Sequence, residues 1–85
     1  MATDRVDLVI VVNGEATTID AQESEELRAV VELALTRTHN EGRPLDEWEL
    51  RDSSGAILDL NRKVGSFDFR PGTTLFLSVR AGIGG

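Results

Sequence analysis

The dipeptide Asn13-Gly14 leaves the first part of this chain few ways to fold. A two-residue type I′ turn needs φ > 0 at both central positions, and Asn-Gly meets that need at low cost. Before it runs Arg5 to Val12, an alternating segment rich in β-branched residues. The turn therefore predicts a hairpin in one register, with Val12 facing Glu15, Ile10 facing Thr17 and Leu8 facing Ile19. Val9 opposite Thr18 and Val11 opposite Ala16 fall on the other side. The large apolar residues Leu8, Ile10 and Ile19 gather on one face, which is expected to be the core.

Ser24 to about Asn40 is expected to form a single helix, with Ser24 as N-cap and Glu25 and Glu26 in the positive first turn. Leu27, Val30, Val31, Ala34 and Leu35 make an apolar stripe of helical period. Arg37 and His39 suit the negative end, Gly42 is expected as a left-handed cap, and Pro44 stops the helix resuming. Trp48 to Arg51 reads as a short third strand, Asp52 to Gly55 as a turn, and Ala56 to Asp59 as a short fourth strand. Asn61 to Phe69 is mixed, contributing Val64, Phe67 and Phe69. Arg70-Pro71-Gly72-Thr73 turns into a last alternating run, Thr74 to Val79. The first and last strands are the long apolar ones, so they are expected to lie parallel at the centre. The class is α+β, a mixed sheet of four to five strands with one helix packed across it.

Composition removes several chemistries. With 85 residues the chain is one domain. It has no cysteine, which excludes disulfides, thiolate metal sites and cysteine nucleophiles. The single His39 lacks the spaced carboxylates that a zinc site would need. A formal net charge of −6 argues against nucleic-acid or anionic-membrane partners. No apolar run approaches the length of a membrane span, and the N-terminus lacks the pattern of a signal peptide, so a cytoplasmic location is expected. Residues 1–4 are expected to be disordered and 5–80 to form the domain.

Residues 81–85 then stand apart. Arg80-Ala81-Gly82-Ile83-Gly84-Gly85 follows the last strand with no turn residue to fold it back. Five extended residues reach roughly 16–18 Å. Two closing glycines carry no Cβ, so the Gly85 carboxylate sits on the slimmest available backbone. That suits threading into a narrow enzyme channel, although frayed ends are the commoner explanation of such a tail.

Strand order, core spacing and closing glycines together resemble the β-grasp fold of ubiquitin and its relatives. The match spans nearly all of the chain from Leu8. It is closest from Leu58 to Val79, where Leu58, Arg62, Val64, Phe67, Phe69, Thr74, Leu75 and Leu77 keep the ubiquitin pattern. The resemblance implies a protein modifier and not an enzyme. An E1-like activating enzyme would adenylate Gly85 using ATP, with no cofactor bound to this chain. The acyl group would pass as a thioester to an E2-like conjugating enzyme, then to an amine of a target protein, and a deconjugating protease would reverse the bond. The chain itself is expected to be a monomer. It looks most similar to bacterial ubiquitin-like modifiers, some of which act in defence against phage.

Departures from the ubiquitin pattern sharpen these expectations. The tail offers Arg80, then Ala81, Gly82 and Ile83, where ubiquitin has two arginines, which implies dedicated enzymes. The position of ubiquitin's central patch isoleucine holds Arg51, and a valine position on the last strand holds Ser78. Val9, Val11 and Phe76 are expected to form the replacement patch, unless loops or Arg80 cover them. Lys63 is the only lysine among nine basic residues, so it is the expected self-acceptor if chains form. Two other functions share this architecture. One is a sulfur carrier whose terminus becomes a thiocarboxylate, and the other is a binding domain whose tail has no chemistry.

Overall fold

In the computed structural model, which describes residues 4–80, the hairpin closes as its turn chemistry requires. Asn13 and Gly14 take φ of 50° and 87°. They join β1 (Arg5–Val12) to β2 (Glu15–Gln22) in antiparallel register, with Leu8 opposite Ile19 and Val12 opposite Glu15, as predicted. A helix α1 (Leu27–Arg37) follows, then β3 (Trp48–Arg51) and β4 (Thr73–Val79). The sheet order is β2-β1-β4-β3. β4 lies parallel to β1, pairing Ile10 with Leu75, and antiparallel to β3, pairing Leu50 with Leu77. One face of this mixed sheet carries the helix. Leu8, Ile10, Ile19, Leu50, Leu75 and Leu77 on the sheet, and the predicted stripe on α1, are all buried there.

The helix is shorter at its start than its sequence suggests. Its N-cap is Glu26, in extended conformation and with no side-chain capping bond, so Ser24 does not cap it and no acidic residue lies in the first turn. Backbone carbonyls from far along the chain take over that role. Leu27 N–H donates to the Arg62 carbonyl at 2.9 Å, and Arg28 N–H to the Leu60 carbonyl at 2.9 Å. Two helix-start donors are thus satisfied by tertiary structure. Return bonds run from Val64 N–H to the Glu25 carbonyl (2.8 Å) and from Gly65 N–H to the Glu23 carbonyl (3.0 Å). Gly65 is more than a turn residue here. A Cβ on it would stand 3.1 Å from the Glu23 Cβ, so any larger residue would require Glu23 to give way by a few tenths of an ångström.

The same bonds explain why Ala56 to Asp59 makes no fourth strand. It keeps one bridge, Ile57 to Arg51, and the Leu58 N–H donates to the Leu50 carbonyl at 2.8 Å. The chain then turns away to bring Leu60 and Arg62 to the helix. Between them and β4, a 3₁₀ turn at Val64–Phe67 sets Phe67 against Phe69, with ring centroids 5.1 Å apart. The Arg62 guanidinium covers the Phe67 ring at 4.4 Å.

At the other end of α1 the left-handed residue is His39, φ 61°, and not Gly42. The His39 N–H donates to the Thr36 carbonyl (3.2 Å) and the Asn40 N–H to the Leu35 carbonyl (2.8 Å), a Schellman closure. A side chain in this conformation costs about 1 kcal/mol relative to glycine. His39→Gly is therefore expected to raise the unfolding free energy by about 0.5–1 kcal/mol and the melting temperature by a few degrees, read by thermal denaturation.

Candidate partner surface and the root of the C-terminal segment

The face of the sheet away from the helix carries the outward residues of every strand. Pairing places four of them in one row: Ala16 on β2, Val11 on β1, Phe76 on β4 and Arg51 on β3. The bridge to Ile57 continues the row past the sheet edge. Val9 lies in the next row, between Thr18 and Thr74. The predicted neighbours Val9, Val11 and Phe76 are thus on adjacent strands, but they are not equally available. Val9 and Val11 are half-buried, while Phe76 is 43% exposed. Arg80 does not cover them, because its guanidinium turns to the Asp46 carbonyl. Arg51 donates to the Glu49 carboxylate at 2.7 Å and to the Gly55 carbonyl at 2.9 Å, which lays it flat along the sheet edge.

Sequence reasoning missed Ile57, which is 60% exposed and ends this row. The signal was present in the two-residue period. With Leu58 directed inward, its neighbour Ile57 has to face out.

Arg80 marks where the C-terminal segment begins. Its backbone N–H donates to the Glu47 carbonyl at 2.8 Å and its guanidinium to the Asp46 carbonyl at 3.0 Å. β4 is therefore anchored, through the residue that follows it, to the 3₁₀ turn Leu45–Glu47. Ala81, Gly82, Ile83, Gly84 and Gly85 lie outside the described residues. Lys63 lies beside the helix N-cap, bridged to Glu26 and exposed, with its Nζ donating to the Ser24 carbonyl at 3.1 Å. It borders a depression shared with Asp4 and Glu23.

Over residues 1–85 the sequence matches the family described as proteins of unknown function, DUF2604. The chain belongs to DUF2604. This DUF2604 chain is 38% identical over 81 residues to the uncharacterized protein y4jI of Sinorhizobium fredii (strain NBRC 101917 / NGR234). The match covers 95% of the chain but 62% of that relative, so the chain spans less than two thirds of its length. Among solved structures it is similar to a protein designed on the basis of ubiquitin (TM-score 0.78, 20% identity, 99% of each chain). It is also similar to the ubiquitin of Caldiarchaeum subterraneum, at TM-score 0.74 and 19% identity over 95% of this chain and 99% of that one. These likenesses establish the ubiquitin-like β-grasp fold.

One further loop of the DUF2604 domain bears on the exposed row. The Asp52 carboxylate accepts bonds from the Ser54 hydroxyl (2.6 Å), the Ser54 N–H (2.9 Å) and the Ala56 N–H (3.1 Å). The Ser54 hydroxyl bond leads in holding its pKa below the ordinary 3.8, with the loop's backbone N–H groups adding to it against the opposing effect of desolvation. A carboxyl whose folded pKa is depressed stabilises the fold above its unfolded pKa and loses that contribution as pH falls through the folded one. The urea midpoint of the wild type is thus expected to drop below pH 3.8 by more than that of Asp52→Asn. Equal drops would show that the loop's bonds contribute nothing. At neutral pH the intact loop holds Ile57 beside Arg51.

Proposed function

We propose that this chain is a ubiquitin-like protein modifier whose Gly85 carboxylate, free as made or after trimming, is adenylated by an E1-like enzyme using ATP. It is then carried as a thioester and joined to target amines. The observation that supports this most directly is the coupling of a ubiquitin-like fold to Gly84-Gly85, five residues beyond a root anchored through Arg80. A carboxylate is a poor acyl donor until it carries a good leaving group, so the nucleophiles and metal of such a pathway belong to the enzymes. We place the pathway among bacterial ubiquitination-like systems in the cytoplasm, with phage defence as its setting.

The test is to incubate the protein with ATP and an activating enzyme of ubiquitin type encoded near it, followed by intact mass spectrometry. A reducible enzyme–modifier adduct that vanishes on deletion of Gly85 is the expected result. If Gly85 instead gains the mass of sulfur in place of oxygen when a sulfur donor is supplied, the protein is a sulfur carrier. An unchanged Gly85 under both conditions would leave a binding domain. Lys63 is the chain's single lysine and so the expected self-acceptor if chains form, and Lys63→Arg is expected to reduce chain length without reducing single transfers.

A further inference from the structure

Beside the root of the C-terminal segment lies a groove of about 360 Å³, within the range of sites that hold small ligands. Its floor is apolar, made by Leu45, Leu58 and Leu60, which are only partly buried, and by Trp48. Trp48 is 4% exposed, and its Nε1–H is the one buried side-chain polar atom without a partner among the described residues. The two walls differ in charge. Arg28 and Asn61 form one, tied together because the Arg28 N–H donates to the Leu60 carbonyl next to Asn61. Neither the Arg28 guanidinium nor the Asn61 side-chain amide makes a hydrogen bond or ion pair within the described residues. Both are exposed donors aimed at no acceptor in the fold. The other wall is Asp46, whose carbonyl holds Arg80. Glu49, which also borders the groove, is neutralised by Arg51 at 2.7 Å. Ile57 forms the lip.

We propose that this groove binds a partner's peptide segment that presents an aliphatic side chain next to a carboxylate. The aliphatic group covers the leucine floor and the Ile57 lip. The carboxylate meets the unpaired Arg28 and Asn61 donors, where a guanidinium makes paired, charge-assisted bonds. The Asp46 carboxylate on the other wall is outweighed by the Arg28 and Arg80 guanidiniums, with Glu49 already paired to Arg51, so the balance at the Arg28 wall favours a carboxylate over an ammonium. The groove meets the outward row around Phe76 at Ile57 alone, and its binding does not depend on whether Gly85 is ever activated. A partner on the groove would lie directly against the root of the C-terminal segment.

The probe is the capped dipeptide acetyl-Asp-Leu-amide, titrated into the full ¹⁵N-labelled chain. Fluorescence of Trp48, the only tryptophan, is followed in parallel. Shifts centred on Arg28, Leu58, Leu60 and Asn61, saturating near millimolar concentration, are expected for so small a ligand. Replacing Asp by Lys or Leu by Ala in the probe should weaken binding roughly tenfold or more, as should Arg28→Gln. Ile57→Ser is a second variant that leaves Arg28 in place and should weaken it several-fold. The proposal is overturned by equal binding of the Lys probe, by shifts centred on Val11 and Phe76, or by no shift at about 10 mM. It is equally overturned if a chain ending at Arg80 already shows different groove signals without peptide and binds the probe more tightly, since the chain's own tail would then be the occupant.

Discussion

Leu8→Ala is expected to lower the unfolding free energy by about 3–5 kcal/mol, the upper range for removing a buried leucine side chain. Leu8 is fully buried on β1, an inner strand of the sheet, with Ile19 of β2 and Thr73 of β4 as its pairing neighbours and the helix stripe above. No flexible edge is available to close the cavity, so the transfer loss and the cavity term add. A domain of this size has a total stability of roughly 4–13 kcal/mol, which makes the loss about a fifth of the whole at the least. Leu33→Ala supplies the contrast. Leu33 is 40% exposed on the outside of α1, and alanine is the better helix former, so its change should stay within about 0.5 kcal/mol of zero. Urea unfolding followed by Trp48 fluorescence reads both, with midpoints compared at equal slope. A loss under about 1 kcal/mol for Leu8 would mean the core is not where β1 places it.

That core was legible before the fold was seen because its determinants are local. Asn13-Gly14 dictates the hairpin turn, and alternation along Arg5–Val12 then leaves one choice of inner face. The spacing of Leu27, Val30, Val31, Ala34 and Leu35 likewise specifies a helix face whatever it packs on. Helix ends were a different matter. Ser24 looks like a cap in isolation, but carbonyls of Leu60 and Arg62 satisfy the first turn, and nothing near Ser24 announces them. Likewise His39 adopts a conformation that glycine would take more cheaply, so residue preference pointed past it to Gly42. The candidate surface was half legible. Period two put Val9, Val11 and Phe76 on the outward face, yet half-burial of the two valines depends on cross-strand neighbours that sequence alone does not reveal. The groove beside Arg80 was not legible at all. Its walls come from the helix start, the 45–47 turn and the 57–61 loop, which only the tertiary fold brings together.

On the proposed modifier function, Phe76→Glu is expected to slow thioester formation with an activating enzyme by about 30–1,000-fold while leaving the fold intact. The size follows from the place of Phe76 in the row. It is the exposed aromatic between half-buried Val11 and the flattened Arg51, and an aromatic in such a position is the usual anchor of an interface, worth about 2–4 kcal/mol. A carboxylate there stays hydrated in the free protein but loses that water when a partner closes over it. Folding should be little affected. The side chain is already 43% exposed, so the stability change should be about 1 kcal/mol or less. The readout is kcat/KM for thioester formation, with deletion of Gly85 as the zero and urea midpoints to certify the fold. Thr18→Glu, exposed on the same face but on edge strand β2, separates position from charge. If both variants lose transfer equally, added negative charge on the sheet is responsible and Phe76 is no anchor. If neither does, enzymes read the end of the chain without this face, and the apolar row serves a different partner.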